Sequence, residues 1–494
     1  MNLTLDNNQT FTEFKKKFYS TITDISLFDG YTLNALKIVL DGLKVNYVKK
    51  YNQRITFDKS LFTYIFFHVL KNLTHVAKNF KKEESQLSPF SVDTLFFSNN
   101  IRFLKSKDRL NNYQYQPFLF SKIASIINKD RTVHLTGRLP QEIKKQNYTF
   151  NYIEYSKCNY LKNNVFTKKH FSLRKELKFI FNKLKRSGLF SDLDIKNIGI
   201  AFQKFLYEYT IYSQILNKYP SVKIIIIEQH YHNESLIYAA KERGIRIIEL
   251  QHGIISTKDI FYVFPAQVKP FVHKALFPDE IFVFGNYWRK ILLNGCEFND
   301  NNIHVIGDFT SQLKELDSLV NDTEIESIIK FKEHNNIILI TTQTFMHSIY
   351  CTYVEKLSEI LNSKYPDWKI IVKIHPNESK DLYHSLLKLS NVYITDYFNL
   401  HFLFSLTNIH ISVYSTTLFE ALKYPNIKNF TLESTIANDY REEIIQNHIA
   451  YPLLECDDPI QQNYNYSLLN YDELYSQFNP EKVFSVIAPC YQPQ

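Results

Sequence analysis

The stretch that decides the fold is residues 221–253, SVKIIIIEQHYHNESLIYAAKERGIRIIELQHG. Its two apolar runs, residues 224–227 and 245–250, are nearly continuous and rich in isoleucine. Such runs are typical of parallel strands that are covered on both faces of a sheet. Between them an Asn-Glu-Ser cluster begins a predicted helix, and Gly244 ends it. The stretch therefore predicts one βαβ unit, with polar residues after each strand.

The same alternation of strand and helix returns over about residues 275–435, beginning with DEIFVFG and ending with IKNFTLE. Pro265 and Pro270 interrupt any regular element between the two regions. We therefore predict an α/β protein with two Rossmann-like doubly wound domains that face a central cleft. Residues 1–265 form the first domain, which includes helical additions over 1–85. Residues 275–460 form the second, and 461–494 are a C-terminal segment that crosses back to the first.

Length and composition agree with two globular domains, because 494 residues exceed one ordinary core and 45% of them are apolar. The net charge of +8 is modest and spread along the chain, so we expect no nucleic-acid partner. Five scattered cysteines without a CxxC pair suggest neither zinc nor a disulfide framework. With no signal-like N-terminus, the sequence predicts a cytoplasmic protein.

Residues 174–188, RKELKFIFNKLKRSG, interleave basic and apolar residues at helical spacing. Two interpretations stay open for this segment. It is either a solvated helix face or a helix that lies on the anionic inner face of the cytoplasmic membrane.

Ligands of open α/β sheets bind outside the carboxyl ends of the strands, so polar residues just after strands are candidate site residues. Gln251, His252 and Gly253 follow the second strand of the βαβ unit. An imidazole there suits a general base near neutral pH, and the glycine would allow a close approach. A structural histidine bonded to a backbone carbonyl is the alternative.

Other residues at strand ends of the first domain are candidates for contacts with an acceptor. They are His230, His232, Asn99 and Arg102. The two histidines have the same structural alternative. No HExxH or DxD pattern occurs, so we predict no metal site.

The second domain offers a candidate anion site. Ser415, Thr416 and Thr417 open the helix LFEAL, where free backbone amides and the helix dipole favour a phosphate. A plain helix N-cap is the alternative for these hydroxyls. His375, held by the following Pro376 at another strand end, could donate to the same phosphate, and Thr342 is a weaker candidate.

The motifs LQHG, FPDEIFVFGNYW, KIHPNE and VYSTTLFEAL together resemble those of bacterial GT-B glycosyltransferases that build capsule and lipopolysaccharide glycans. The pattern is similar to sialyltransferases and polysialyltransferases, and also to teichoic-acid glycerophosphotransferases. The resemblance covers about residues 220–430. It implies that His375, Ser415 and Thr416 bind the donor phosphate, that His252 replaces an acidic base, and that Glu420 reaches the ribose. Gln251-His252 stands where the sialyltransferases have two acids.

The resemblance implies inverting, metal-independent transfer from a nucleotide sugar to a surface-glycan acceptor, without a cofactor. A CMP-activated nonulosonic acid or Kdo is the first expectation for the donor, ahead of UDP- and CDP-linked donors. Three alternatives stay open: a phosphotransferase that uses CDP-glycerol or CDP-ribitol, a UDP-sugar 2-epimerase, and a non-catalytic glycan-binding protein.

Overall fold

A computed structural model describes the chain from residue 91 to residue 491, with gaps. The gaps are 99–102, 108–112, 118–119, 128–130, 137–151, 155–167, 187–189, 191, 258, 260, 265–273, 296–297, 311–321, 345, 377, 397–399 and 435–437. The helices predicted over residues 1–85 lie outside the described residues.

The first sheet has seven parallel strands. They are β1 (Thr94–Ser98), β4 (Thr132–Thr136), β5 (Tyr152–Glu154), β6 (Ile224–Ile227), β7 (Arg246–Leu250), β8 (Glu280–Val283) and β9 (Ile303–Val305), in the order β5-β4-β1-β6-β7-β8-β9. A separate antiparallel pair consists of β2 (Phe103–Lys107) and β3 (Tyr113–Pro117). The helices of this part are α1 (Ser121–Ile126), α2 (Lys168–Arg186), α3 (Asp192–Lys218), α4 (Glu234–Lys241) and α5 (Asn286–Gly295).

The second sheet has six parallel strands. They are β10 (Asn336–Thr341), β11 (Trp368–Lys373), β12 (Val392–Thr395), β13 (Ile409–Ser412), β14 (Lys428–Leu432) and β15 (Tyr451–Leu453), in the order β12-β11-β10-β13-β14-β15. Its helices are α6 (Asp322–Lys332), α7 (His347–Lys364), α8 (Leu400–Ser405), α9 (Thr416–Ala421) and α10 (Asn438–Gln446). Two short helices follow, α11 (Tyr471–Leu474) and α12 (Pro480–Ile487).

Both sheets are buried on both faces, which explains the continuous apolar strands. Ile225 and Ile227 of β6 join a core cluster with helices α2, α3 and α4. Ile224 and Ile226, which point to the opposite face, join a second cluster with α1 and α5. Two further clusters cover the two faces of the second sheet. The predicted α/β fold of two doubly wound parallel sheets is therefore confirmed.

The structure differs from the predicted domain boundary at residue 275. Strand β8 pairs with β7 through Ile248 and Glu280, and β9 pairs with β8 through Ile281 and Ile303. Residues 280–305 thus belong to the first sheet, not to the second domain. The cause is that sequence pattern identifies a parallel strand but does not say which sheet it joins.

The C-terminal segment packs on the first sheet. The Trp288 indole donates to the Leu474 carbonyl at 2.8 Å, and Arg246 Nη1 donates to the Val486 carbonyl at 2.7 Å. Gly285 and Gly307 let this segment approach, since a Cβ at either position would meet its backbone. Within the described part of the chain, no helix has both the length and the apolar character to cross a membrane.

Candidate active site

Each sheet has a point at which the chain order reverses, and crevices at such points hold ligands in open α/β sheets. In the first sheet the reversal lies between β1 and β6, and in the second between β10 and β13. Ser98 ends β1 and donates to Glu228, which follows β6, at 2.6 Å. Thr341 ends β10, and Ser415 follows β13. Of the predicted site residues, those that the structure describes therefore follow strands at these crevices or one strand away.

His252 follows β7 and is half-buried. Its Nε2 lies 2.8 Å from the Tyr231 hydroxyl, whereas its Nδ1 is buried without a hydrogen-bond partner among the described residues. Burial lowers the His252 pKa below its ordinary value, although the carboxylates of Glu249 and Glu228 act in the opposite direction. The ring is therefore neutral at pH 7 and able to accept a proton.

The neighbours of His252 brace its loop. Gln251 is 1% exposed, and its side chain accepts from the Phe284 amide and donates to the Gly253 carbonyl, each at 2.9 Å. This side chain thus ties the loop to the end of β8 and does not face a cleft. A Cβ at Gly253 would meet no atom within 4 Å, so the protein itself makes no close approach there.

His230 is fully buried, contrary to its predicted place in the acceptor cleft. Its Nδ1 lies 2.7 Å from a Glu249 carboxylate oxygen and its Nε2 lies 3.0 Å from the Phe261 carbonyl. Both partners are acceptors, so the two hydrogen bonds form together only when both ring nitrogens carry a proton. The Tyr262 hydroxyl also donates to Glu249, at 2.5 Å. His230 therefore supports the site from within.

The remaining predicted acceptor residues have different outcomes. His232 is half-buried beside the rings of Tyr231 and Phe261, with a left-handed φ of 67°. Asn99 and Arg102 lie outside the described residues. Where the chain is described, no three His, Cys, Asp or Glu side chains gather as ligands of a metal ion would.

A chain of hydrogen bonds runs inward from the hydroxyl run of the second sheet. Asn429 donates its amide to two carbonyls, so its oxygen accepts from His410 Nδ1 at 2.7 Å. Burial lowers the His410 pKa to about 4, so the ring is neutral and its Nε2 accepts from Thr341 at 2.9 Å. Thr341 has no second proton to give. Thr417 must therefore donate to Thr341, over 2.7 Å.

This direction corrects the prediction for the hydroxyl run. The Thr417 proton is engaged inside the protein, so Thr417 cannot donate it to a phosphate. Ser415 acts as the N-cap of α9, because its oxygen accepts from the Thr417 amide at 3.3 Å. The hydroxyl hydrogens of Ser415 and Thr416 donate to none of the described residues, so these two hydroxyls remain available to donate to a ligand.

The loop that follows β11 is held by Thr342. Its buried hydroxyl accepts from the His375 amide at 2.8 Å and donates to Glu378 at 2.7 Å. Tyr383 donates to the same Glu378 oxygen at 3.0 Å, while the other oxygen is buried without a partner among the described residues. Thr342 thus positions His375 and has no proton left for a nucleotide. Glu378, inside the quoted motif KIHPNE, was not among the predicted site residues.

A narrow, mainly apolar pocket of about 20 Å³ lies between the segment that follows His252 and the segment that precedes Ser415. From the first half come residues 254–256, which follow His252, and from the second come Tyr414, which precedes Ser415, and α10. The full lining is Ile254, Ile255, Ser256, Tyr287, Tyr414, Phe419, Tyr440, Glu443 and Ile444. Glu443 of α10 accepts hydrogen bonds from Ser256 and from the Thr257 amide, so it joins the His252 loop to the second sheet.

Glu420 lies near the C-terminal segment. Burial raises the Tyr475 pKa well above its usual value, and the Glu420 charge adds to that effect. The structure thus puts Glu420 beside a tyrosine that the sequence did not connect with it.

No protein-family model matches this chain, and no curated protein matches it. Among solved structures, it is similar to UDP-GlcNAc 2-epimerase from Methanocaldococcus jannaschii, with 11% identity and a TM-score of 0.45 over 81% of this chain and 99% of that one. It is also similar to the calicheamicin glycosyltransferase CalG4, with 10% identity and a TM-score of 0.39 over 81% of this chain and 88% of that one. A variant of the wall teichoic acid polymerase TagF is similar with 12% identity and a TM-score of 0.40, over 93% of each chain. These low values identify neither a shared activity nor a shared substrate.

Proposed function

We propose that this protein is a glycosyltransferase that moves a sugar from a nucleotide donor to a glycan acceptor. One observation carries the proposal: a single pocket joins the segment after His252 to the segment before Ser415. His252 and Ser415 lie within two residues of the Ile254 and Tyr414 side chains that line this pocket. This is the pairing of base and anion site that transfer from a nucleotide requires.

In the proposed reaction, His252 accepts the proton of the acceptor hydroxyl while that oxygen attacks the anomeric carbon. The bond from this carbon to the donor phosphate breaks on the opposite side, so the configuration inverts. His375, Ser415 and Thr416 stabilise the negative charge that develops on the departing phosphate. Because these donors supply the electrostatic stabilisation, the scheme uses neither a metal ion nor a cofactor.

The finer assignments follow the sequence resemblance. The donor is a CMP-activated nonulosonic acid or Kdo, and the acceptor is a bacterial surface glycan. We place the acceptor at the first crevice, where the Glu228 carboxylate and Ser98 can bind its hydroxyl groups.

Helix α2 supports peripheral contact with the membrane. Leu173, Leu177, Ile180 and Leu184 are buried on its inner side. At about 100° per residue, five cations and two phenylalanines share an outer arc of about 140°. They are Arg174, Lys175, Lys178, Lys185, Arg186, Phe171 (50% exposed) and Phe179 (45% exposed). We propose that this surface, the α2 face, contacts anionic lipid at the cytoplasmic side of the membrane.

The test combines donor profiling with a variant of the base. Purified protein is incubated with CMP-, CDP- and UDP-linked donors and glycan acceptors, and nucleotide release and products are measured. We expect His252→Ala to lower kcat by roughly 10²- to 10⁴-fold and to leave the nucleotide Kd unchanged. The matched control is His334→Ala, since His334 is an exposed histidine that precedes β10, at the end of the strand opposite to Thr341.

The alternatives give different results. Activity that survives in His252→Ala contradicts the assignment of the base. Transfer of a phosphorus-containing group indicates a phosphotransferase, and conversion of a UDP-sugar without acceptor indicates an epimerase. If no nucleotide raises the melting temperature, the protein is not an enzyme of nucleotide sugars.

A further inference from the structure

Lys373 is a buried cation at the carboxyl end of β11. It is 7% exposed, and it pairs in register with Thr341 of β10. Alternation along β11 puts its side chain on the face of Ile371, which packs in the same cluster as Leu339 of β10. Thr341 is the residue that receives the Thr417 proton. Lys373 therefore lies at the edge of the second crevice, two residues before His375.

The Lys373 ammonium has N–H donors that no described residue accepts from. One proton goes to the Ile374 carbonyl at 2.6 Å, and no carboxylate among the described residues lies within ion-pair distance. The exposed Asp396, which follows β12, is the charge that favours the ammonium form. Other titratable groups at this edge are engaged elsewhere: Glu324 with Thr395, Glu378 with Thr342, and neutral His410 with Thr341.

Burying an ammonium whose N–H donors lack acceptors costs free energy unless an anion binds to it. Burial lowers the Lys373 pKa to about 8, which is the direction expected when burial disfavours the charged form. A phosphate is the kind of group that would offset the cost, since it brings negative charge and several acceptor oxygens.

We propose that the Lys373 ammonium binds the phosphate of the nucleotide donor at the second crevice. The proposal rests on the proposed function, because it assigns a charge partner to the same donor site. Nucleotide binding is then coupled to a proton: above pH 8 free Lys373 is mainly neutral, and the bound phosphate restores its charge.

The coupling predicts proton uptake that calorimetry can measure. With a Lys373 pKa of about 8, titrations of CMP, CDP and UDP in buffers of different ionisation enthalpy should show roughly 0.8 proton taken up per nucleotide at pH 8.5, and about 0.1 at pH 7. Affinity should fall about tenfold between pH 7 and pH 9. Cytidine, which lacks the phosphate, should show no uptake.

Lys373→Met is the decisive variant, and Lys369→Met on the same strand is its matched control. Lys369 lies near the opposite end of β11, over the Phe331 ring, so its removal changes net charge equally. We expect Lys373→Met to abolish proton uptake and weaken nucleotide binding at pH 7, and to keep or raise the melting temperature without ligand. Lys369→Met should keep both the uptake and the affinity.

The outcomes separate this proposal from the proposed function. Nucleotide binding without proton uptake at pH 8.5, or uptake that persists in Lys373→Met, overturns the role of Lys373 alone. If none of the three nucleotides binds the unmodified protein, the proposed function fails, and the Lys373 proposal fails with it.

Discussion

The proton directions around His410 determine which hydroxyls are available at the surface of the site. His410 accepts from Thr341 only while its ring is neutral, and burial keeps it neutral by lowering its pKa to about 4. Protonation would turn Nε2 from an acceptor into a donor and reverse the contact with Thr341. The position of Thr417 thus depends on a histidine that never touches the ligand.

This arrangement predicts an acid-sensitive fold. The unfolded chain binds a proton at His410 with a pKa near 6.5, whereas the folded chain does so only near 4. The stabilisation that the shifted His410 pKa gives the folded state is complete above about pH 6.5 and is lost as pH falls toward 4. The loss is about 1.4 kcal/mol per pH unit, or roughly 3 kcal/mol in total. His134, whose pKa burial lowers to about 3, acts in the same direction.

Urea unfolding at intervals between pH 7 and pH 4 measures this loss. In His410→Gln the slope of unfolding free energy against pH should be lower by about 1.4 kcal/mol per unit. The exposed His334→Gln is the control and should keep the slope of the unmodified protein. An equal slope in His410→Gln would show that His410 is not the group that titrates.

For single residues, the sequence predicted which side chains follow strands better than it predicted what those side chains bind. The strand-end rule identified His252 and His375 because parallel strands expose their carboxyl ends at one edge. It could not show that His230 is buried, since a histidine three residues beyond an isoleucine run looks the same in either environment. Nor could it show that the Thr342 and Thr417 hydroxyls donate to other side chains of the protein, because the acceptors come from other strands or follow them.

Among the elements, the strands with continuous apolar runs were predicted, whereas β2, β3, β5 and β15 were not. The buried strands are continuous apolar runs, which few other structures explain. Within the predicted alternation of strand and helix over 275–435, the stretch KDLYHSLLKLS has a helical pattern but forms 3₁₀ turns over Lys380–Lys388, where Tyr383 departs from helical angles. Tyr383 is buried there and bonds to Glu378, so a tertiary contact overrides the helical pattern.

The α2 face leads to a prediction about membranes. We expect the protein to bind phosphatidylserine-containing vesicles in low salt, and high salt to release it. Neutralising a basic residue near the surface costs about 1 kcal/mol, so reversing three charges should weaken binding by at least about 100-fold. The variant carries Arg174→Glu, Lys178→Glu and Lys185→Glu, and vesicle sedimentation measures the partition coefficient.

A second variant with the same change in net charge controls for bulk electrostatics. It carries glutamate at three exposed lysines of the second domain, Lys330, Lys364 and Lys388. This variant should bind vesicles nearly as well as the unmodified protein. Similar losses in both variants would mean that net charge, and not the α2 face, governs the association.

For the whole molecule, the sequence predicted two doubly wound sheets but not how the chain is divided between them. Residues 280–305 looked like the start of the second unit because their strands have the same pattern. Which sheet they join depends on contacts with β7, and on the C-terminal segment that packs beside Gly285 and Gly307. The contacts of Gly285 and Gly307 with the C-terminal segment join residues about 170 to 190 positions apart, so no local pattern carries them.

Glu443 makes one of the contacts between the two halves, beside the packing of Phe419 on Trp288. This carboxylate is 7% exposed, and it accepts from the Thr257 amide at 2.8 Å and from the Ser256 hydroxyl. Because residues 252–257 form one loop, Glu443 also limits where His252 can lie relative to the donor site. Its removal takes the acceptor away from the buried Ser256 hydroxyl and from the Thr257 amide, and the buried hydroxyl alone sets a cost of about 1 to 3 kcal/mol.

We therefore expect Glu443→Ala to loosen the His252 loop and lower kcat while the nucleotide Kd stays nearly constant. Hydrogen exchange followed by mass spectrometry should show faster exchange of the peptide that contains Thr257, with little change in the strands of either sheet. Glu442→Ala, an exposed neighbour on α10, is the control. If Thr257 exchanges at the same rate in Glu443→Ala as in the unmodified protein, the loop is held by other contacts, and domain placement does not depend on this carboxylate.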